Sequence, residues 1–212
     1  MKSVSRVLVI VLLSALMLLG QGSDVITPAE NLVIENIPPI PAAVAEAVGR
    51  YTEFRGAGFE GWHPTRREML IFTRFGDTQQ LHRVNFPGGA RTQLTFFPDR
   101  VAGASYPPKG SGDYFLFSKD VAGGEWFQGY RFDFSTGAVT LLTDGGRSQN
   151  SGGTWSTAGN RIAYGSTRRT GKDRNIWVMN PTDPKTDRLL LELEGGGWGA
   201  LDWSPDDRRQ SD

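Results

Sequence analysis

The sequence contains no cysteine and only two histidines, which excludes several kinds of chemistry at the outset. Without thiols there can be no disulfide, no thiolate zinc site and no cysteine nucleophile. The net charge is zero as well, because the sequence has 23 basic and 23 acidic residues. A balanced charge gives no electrostatic support for binding a polyanion, so we expect no nucleic-acid partner.

Long apolar runs are absent except at the start of the chain. Lys2 and Arg6 precede an apolar stretch over residues 7–19, and small residues follow it. This pattern is typical of a signal peptide, and the stretch is too short to span comfortably a bilayer core of about 30 Å. The sequence therefore predicts a signal peptide over 1–22 and an exported protein, periplasmic or extracellular, with no membrane attachment after cleavage. An uncleaved N-terminal anchor is the alternative.

Helix-forming sequence is scarce too. Several prolines between residues 28 and 41 favour an extended backbone, since proline removes a hydrogen-bond donor and restricts the residue before it. The Ala-rich stretch 41–50 starts with a proline, which is favourable in the first turn of a helix. Residues 23–50 are therefore predicted to form an extended lead-in and one short helix.

Glycine, proline and aromatic residues are abundant, and they form a repeat. In each copy an aromatic residue ends a short strand, a turn rich in Pro or Ser follows, and three further strands complete the unit. The aromatic residue recurs as Trp62, Tyr106, Trp155 and Trp203, with spacings of 44, 49 and 48 residues. Four short strands at this period indicate an all-β fold, a β-propeller of four-stranded antiparallel blades.

The repeat predicts an incomplete propeller over residues 51–212. Three blades cover about 57–95, 101–143 and 151–193, and the first strand of a fourth blade begins within 197–212. Small residues in each first strand suit a strand that lines the narrow central channel. The aromatic residue at its end is expected to pack between neighbouring blades, and the second strands should supply the core.

Several segments resemble the WD40-like repeats of two groups of proteins. Residues 203–207 (WSPDD) and 175–180 (NIWVMN) are similar to repeats of TolB-type periplasmic propellers and of prolyl oligopeptidase-family serine peptidases. Residues 62–70, residues 88–95 and the Pro-rich lead-in 34–41 resemble exported bacterial members of the peptidase family, such as dipeptidyl and acylaminoacyl peptidases.

The resemblance to the peptidase family implies a partner domain and a class of substrate. In that family the N-terminal propeller covers a C-terminal α/β-hydrolase domain, which carries the catalytic residues, and restricts access to short peptides. The resemblance therefore implies an α/β-hydrolase domain in the full-length protein and peptides as substrates.

No catalytic, cofactor or metal site is predicted within this chain. A nucleophile elbow would read Gly-x-Ser-x-Gly, and the nearest match, residues 103–107, lacks the last glycine. His63 is interpreted as a turn residue and His82 as a residue of the surface or a blade edge. No His, Asp or Glu cluster has the spacing of metal ligands. This chain alone is therefore expected to have no peptidase activity.

One residue is a candidate for binding substrate. Glu125 lies next to Trp126 in a Gly-rich loop. By resemblance to acidic residues in dipeptidyl peptidase propellers, it could bind the N-terminus of a peptide. Ordinary blade packing of Trp126 and Phe127 is the alternative interpretation of this segment.

The sequence is consistent with two main functions and a third, less supported one. The first is a substrate-gating propeller segment of an exported serine peptidase whose hydrolase domain is absent from this chain. The second is a stand-alone TolB-like periplasmic propeller that acts as a protein-binding module. A propeller that binds a carbohydrate or another small ligand is the third.

Overall fold

The computed structural model describes residues 24–208 and 210–211, so the predicted signal peptide lies outside the described residues. The chain divides into two compact units, Met1–Phe54 and Arg55–Asp212. Within the described part, no helix is long and apolar enough to cross a membrane.

In the first unit, an extended segment leads into a single helix. Val25 and Pro41 form an antiparallel bridge, and helix α1 (Ala42–Thr52) follows at once. Pro41 caps the helix with an extended backbone, because its ring fixes φ and its missing N–H has no role there. The short helix expected from the sequence is confirmed.

The second unit consists of antiparallel strands that follow one another in order. Each of three sheets has four strands, so three blades of a β-propeller are confirmed. The strands of blade 1 are β1 (Ala57–Trp62), β2 (Met69–Thr73), β3 (Gln80–Val84) and β4 (Arg91–Gln93). Those of blade 2 are β5 (Val101–Ser105), β6 (Tyr114–Lys119), β7 (Gln128–Asp133) and β8 (Val139–Leu141). Those of blade 3 are β9 (Asn150–Trp155), β10 (Ile162–Ser166), β11 (Asn175–Asn180) and β12 (Asp183–Leu191).

A fourth sheet begins near the end of the chain. Strand β13 (Asp202–Trp203) pairs with strand β14 (Gln210–Ser211), so the structure adds a short second strand to the first strand that the repeat predicts. The Ser204–Asp207 turn between them closes with a hydrogen bond from the Asp207 N–H to the Ser204 carbonyl, at 2.8 Å.

The first strand of each of the three four-stranded blades carries a β-bulge. The extra residue is Glu60 in β1, Gly103 in β5 and Gly152 in β9. Gly103 and Gly152 have φ of +55° and +62°, a left-handed conformation that glycine adopts without steric cost. Gly103 and Gly152, which the sequence analysis interpreted as small channel-lining residues, therefore bend the strand, and their position at a channel stays a prediction.

Apolar clusters fill the contacts between successive blades. The cluster between blades 1 and 2 contains Leu70, Phe72, Leu81, Val101, Tyr106, Phe115, Phe117 and Phe132. The cluster between blades 2 and 3 contains Tyr114, Leu116, Leu142, Ile162, Tyr164 and Met179. Each blade thus buries its faces against its neighbours, as a stacked repeat requires.

The repeated aromatic residue packs against the blade that precedes it. Tyr106 contacts His63 with ring centroids 4.7 Å apart, and Trp155 contacts Tyr114 at 6.3 Å. Trp203 joins a cluster with Ala163 of blade 3. Trp62 is the exception, since its side chain is 62% exposed. The expectation that Trp62 packs between blades is wrong, because no blade precedes it in the described part of the chain.

A buried amide begins the third strand of each blade, a feature that the sequence analysis missed. Gln80, Gln128 and Asn175 are all buried. Their side-chain N–H groups donate to backbone carbonyls of the segment after the fourth strand, namely those of Phe97 (3.0 Å), Gly146 (3.0 Å) and Leu193 (2.8 Å). The amide therefore ties the outer strand of a blade to its third strand.

Candidate functional site: a cleft between blades 2 and 3

A cleft of about 330 Å³ opens between blades 2 and 3, on the side of the first strands. Its volume falls at the lower end of the range usual for small-ligand sites. Segments 103–105 of β5 and 151–153 of β9 form its edges, and Glu60 of blade 1 also lines it. The cleft is therefore built from three consecutive blades of the propeller.

The walls of the cleft are mostly apolar. Leu116 and Leu142 come from blade 2, whereas Ile162 and Tyr164 come from blade 3, and all four belong to the apolar cluster between these blades. A ligand in the cleft would therefore remove apolar surface from water, which stabilises binding by about 25 cal/mol for each Å² buried.

Tyr164 presents its ring to the cleft while its hydroxyl is held elsewhere. The hydroxyl donates to Asp187 Oδ1 at 2.9 Å, and Arg168 Nη2 bridges to Asp187 Oδ2 at 2.6 Å. The guanidinium of Arg168 lies over the ring of Trp177, 3.3 Å from its centroid. Burial, helped by the charge of Asp187, raises the pKa of Tyr164 far above its ordinary value. The phenol is thus neutral and fixed, and it is not available as a proton-transfer group.

Most polar groups at the cleft already have partners. Ser105 Oγ accepts a hydrogen bond from Trp155 Nε1 at 3.0 Å, and Ser118 Oγ donates to the Ala102 carbonyl at 2.6 Å. Thr143 Oγ1 donates to Gln128 Oε1 at 2.6 Å. The Ser105–Trp155 bond joins blades 2 and 3, and the other two lie within blade 2. Asn150 Oδ1, in contrast, is buried in the cleft lining without a hydrogen-bond partner among the described residues.

Glu60 is the acidic residue of the cleft. Its Oε2 accepts the backbone N–H of Ala104 at 3.1 Å, while its Oε1 has no hydrogen-bond partner among the described residues. No Lys, Arg or His lines the cleft. The site therefore combines apolar walls with one uncompensated carboxylate at its edge.

Glu125, the candidate substrate-binding residue, does not line this cleft. It lies exposed in the loop between β6 and β7, and its N–H donates to Asp120 Oδ2 at 2.9 Å. Its φ is +61° and that of Ala122 is +54°, a left-handed conformation that costs free energy for residues other than glycine. Arg147 lies over the neighbouring Trp126 ring at 5.5 Å. A role for Glu125 in substrate binding stays a prediction.

The two histidines are both structural. Nδ1 of His63 accepts the backbone N–H groups of Arg66 at 3.0 Å and Thr65 at 3.2 Å, which confirms its interpretation as a turn residue. Burial, with a smaller contribution from the charge of Arg66, lowers the pKa of His63.

The interpretation of His82 as a surface or blade-edge residue is wrong. Its side chain is only 1% exposed, because the antiparallel register places it between Ile71 and Gln93 in the interior of the sheet. Burial lowers the pKa of His82, and its Nδ1 lies 3.1 Å from the Gln80 carbonyl. Neither histidine lines the cleft, and neither contacts a serine hydroxyl in the described residues.

No set of three or more His, Asp or Glu side chains in the described part of the chain is arranged to hold a metal ion. The acidic pair Asp206 and Asp207 lies in the β13–β14 turn, where both carboxylates accept hydrogen bonds from protein groups.

Known protein families and curated sequences offer no direct relative. No family model matches the chain, and no curated protein matches it. Solved structures do match. A TolB-type protein from Agrobacterium tumefaciens has a TM-score of 0.53 and 21% identity, over 72% of this chain and 56% of that one. A structure from a study of two prolyl endopeptidases has a TM-score of 0.54 and 12% identity, over 77% of this chain and 27% of that one.

A third solved structure, TolB from Acinetobacter baumannii, has a TM-score of 0.44 and 23% identity, over 65% of this chain and 31% of that one. The chain thus spans little more than half the length of the Agrobacterium TolB-type protein and about a quarter of the length of the prolyl endopeptidase structure. At these identities the likeness shows the fold alone, and that fold is a TolB-like β-propeller.

Proposed function

We propose that this chain is the substrate-gating propeller segment of an exported serine peptidase that acts on peptides. The observation that carries the proposal is the likeness of its blades to those of a prolyl endopeptidase structure, at a TM-score of 0.54. The lead-in 34–41 and the first-blade segment 62–70, which resemble exported members of the peptidase family, add support from the sequence.

In this proposal the chain binds and selects, and another domain carries out the chemistry. A peptide would pass the first strands of the blades, where the cleft and Glu60 lie, before it reached an α/β-hydrolase domain. The nucleophile would belong to that domain, since no Gly-x-Ser-x-Gly segment occurs in residues 1–212. In this proposal the signal peptide predicted over 1–22 directs the protein to the periplasm or outside the cell.

Two experiments test this function. The coding sequence beyond codon 212 should encode further blades and then a hydrolase domain with a Gly-x-Ser-x-Gly segment. A fluorophosphonate probe should label the full gene product and leave the purified 212-residue chain unlabelled. A coding sequence that ends once the propeller is complete, or labelling of the chain itself, would reject the peptidase proposal.

The alternative is a TolB-like propeller that works by protein contact alone. The match to the Agrobacterium TolB-type protein, at a TM-score of 0.53, favours it about as much as the endopeptidase match favours the first proposal. A gene that closes the propeller and then stops would select this alternative, because no catalytic domain would follow.

A further inference from the structure

The two blade contacts can be compared position by position, because hydrogen bonds identify equivalent residues. The N–H of Leu81 in β3 donates to Thr95 Oγ1 at 2.9 Å, and the N–H of Gly129 in β7 donates to Thr143 Oγ1 at 3.0 Å. Leu81 and Gly129 therefore occupy the same place in blades 1 and 2.

The same comparison relates the first strands of blades 2 and 3. The N–H of Val101 donates to the Gln79 carbonyl at 3.1 Å, and the N–H of Asn150 donates to the Phe127 carbonyl at 3.1 Å. Three residues further along lie Ala104 and Gly153, each two residues before the repeated aromatic. Val101 is thus equivalent to Asn150, and Ala104 to Gly153.

At these positions apolar side chains in one contact become small or polar residues in the next. Leu81, Val101 and Ala104 all pack in the core between blades 1 and 2. Their equivalents Gly129, Asn150 and Gly153 all line the cleft between blades 2 and 3. A fourth pair shows the same change. Phe72 pairs with Leu81 across the strands of blade 1, and Ser118 pairs with Gly129 in blade 2, so buried Phe72 corresponds to Ser118. Gly129, Gly153 and Ser118 are smaller than their equivalents, whereas Asn150 is buried and changes the polarity of its position. The cleft is therefore the space that three larger side chains of the repeat would fill.

Gly153 shows that the space is open. Side chains alternate along a strand, so a side chain at Gly153 would point to the same face as Trp155, which packs on blade 2. A Cβ built at Gly153 meets no atom within 4 Å, and its φ is not left-handed. The backbone at Gly153 does not require glycine. The absence of a side chain therefore leaves open space between the blades and is not needed to avoid backbone strain.

The charge at the edge of this space has one sign. The Ala104 N–H orients the Glu60 carboxylate, and its Oε1 is left without a partner in the described chain. Glu60 is partly buried, and a carboxylate beside apolar walls attracts a cation more strongly than one fully in solvent does. The lining contains no basic group that could neutralise it.

We propose that the cleft between blades 2 and 3 binds a small primary amine carried on an apolar chain or ring. The ammonium group contacts Glu60, and the apolar part lies against Leu116, Ile162 and Tyr164. This site does not depend on the proposed peptidase function. The amine can be a free molecule or a lysine side chain of a peptide, and the experiment separates these two sources.

Calorimetric titration of the purified chain with 3-phenylpropylamine tests the proposal. Binding is expected for the amine, and Glu60→Gln should weaken it by about tenfold or more, since a charge-assisted hydrogen bond is lost. The neutral 3-phenylpropanol should bind at least about tenfold more weakly than the amine. An acetylated, amidated Leu-Lys-Leu peptide tests the second source, and binding of the peptide without binding of the free amine would assign the site to lysine side chains.

Glu194→Gln is the matched control, because Glu194 is an exposed glutamate of the same unit that does not line the cleft. It should leave the affinity for 3-phenylpropylamine unchanged. Three results would overturn the proposal: equal affinity for the alcohol and the amine, equal affinity of Glu60→Gln and the unaltered chain, or loss of binding in Glu194→Gln. Far-UV circular dichroism of each variant shows whether it is folded.

A second measurement needs no ligand. Gly153→Cys introduces the sole thiol of the chain. A cationic methanethiosulfonate should modify this thiol at least about tenfold faster than an anionic one, and Glu60→Gln should reduce that ratio. At Ser135→Cys, in the exposed β7–β8 turn, Glu60→Gln should change nothing. A thiol at position 153 that is unreactive, or that shows no preference between the reagents, would refute an open anionic cleft.

Discussion

The buried amide of Gln128 provides the sharpest test of how a blade is held together. Its side chain is 4% exposed. Nε2 donates to the carbonyls of Gly146 at 3.0 Å and Ser148 at 3.1 Å, while Oε1 accepts from the Gly145 N–H at 2.9 Å and from Thr143 Oγ1 at 2.6 Å. Nε2 also lies 3.4 Å from Ser148 Oγ. Gln128→Leu keeps the volume nearly constant and removes all five hydrogen bonds.

The cost of this substitution depends on which partners water can reach. Gly145 and Gly146 are exposed, so water can replace the amide there, whereas Ser148 is buried and Thr143 is half-buried. Each buried group left without a partner costs about 1–3 kcal/mol. Gln128→Leu should therefore lower the free energy of unfolding by about 3 kcal/mol. With an m-value of about 2 kcal/mol per M, the urea midpoint falls by about 1.5 M.

Urea unfolding followed by tryptophan fluorescence measures this change. Gln93→Leu is the matched control, since the half-buried Gln93 donates a single hydrogen bond, to the Thr95 carbonyl at 2.8 Å. It should cost about 1 kcal/mol or less. If Gln128→Leu costs no more than Gln93→Leu, the amide does not tie the outer strand to the blade and the reasoning fails.

Three further predictions concern other parts of the propeller. The lowered pKa of buried His63 means that its stabilising contribution is complete above the unfolded pKa of about 6.5 and is lost as the pH falls. Stability should therefore decrease from pH 7 to pH 5.5, and less steeply in His63→Asn, which keeps an acceptor for the turn. Trp62→Ala should change the free energy of unfolding by less than about 1 kcal/mol, whereas Trp155→Ala should cost at least about 2 kcal/mol, both measured by urea unfolding. Gly153→Ala should raise the free energy of unfolding by about 0.4–1 kcal/mol, because alanine restricts the unfolded chain and its Cβ meets no atom in the folded one. Thermal unfolding should show this as a higher midpoint.

The spacing of the repeat predicted the blades because the four strands of each blade are consecutive in the sequence. Trp155 and Trp203 mark the ends of first strands in the sequence and in the structure. The face that each strand buries is a different matter, since it depends on what packs against it. For this reason the alternation along β3 left His82 misassigned, and Trp62 was expected to be covered.

The cleft could not be predicted in the same way, because its residues come from different blades. Gly129 and Gly153 are 24 residues apart in the sequence, and each alone is consistent with a bulge, a turn or a channel-lining position. Their meaning emerges only when the register of two sheets shows that Leu81 and Ala104 fill the same places one blade earlier. Aligning the blades by their hydrogen bonds, and not by their aromatic residues alone, is the signal that could have found them.

A cleft of this kind is tolerated because blade contacts in a propeller are largely independent of each other. Stability in a stacked repeat is close to a sum over units and nearest-neighbour contacts, so a loss at one contact stays local. Between blades 2 and 3 the loss is confined to the edge near the first strands. In the rest of this contact, buried Tyr114 and Met179 still pack between the blades. The buried Arg168–Asp187 ion pair, at 2.6 Å, holds Tyr164 in place. The contact can therefore lose the packing of three larger side chains near the first strands and keep its geometry, which is what a preformed binding cleft requires.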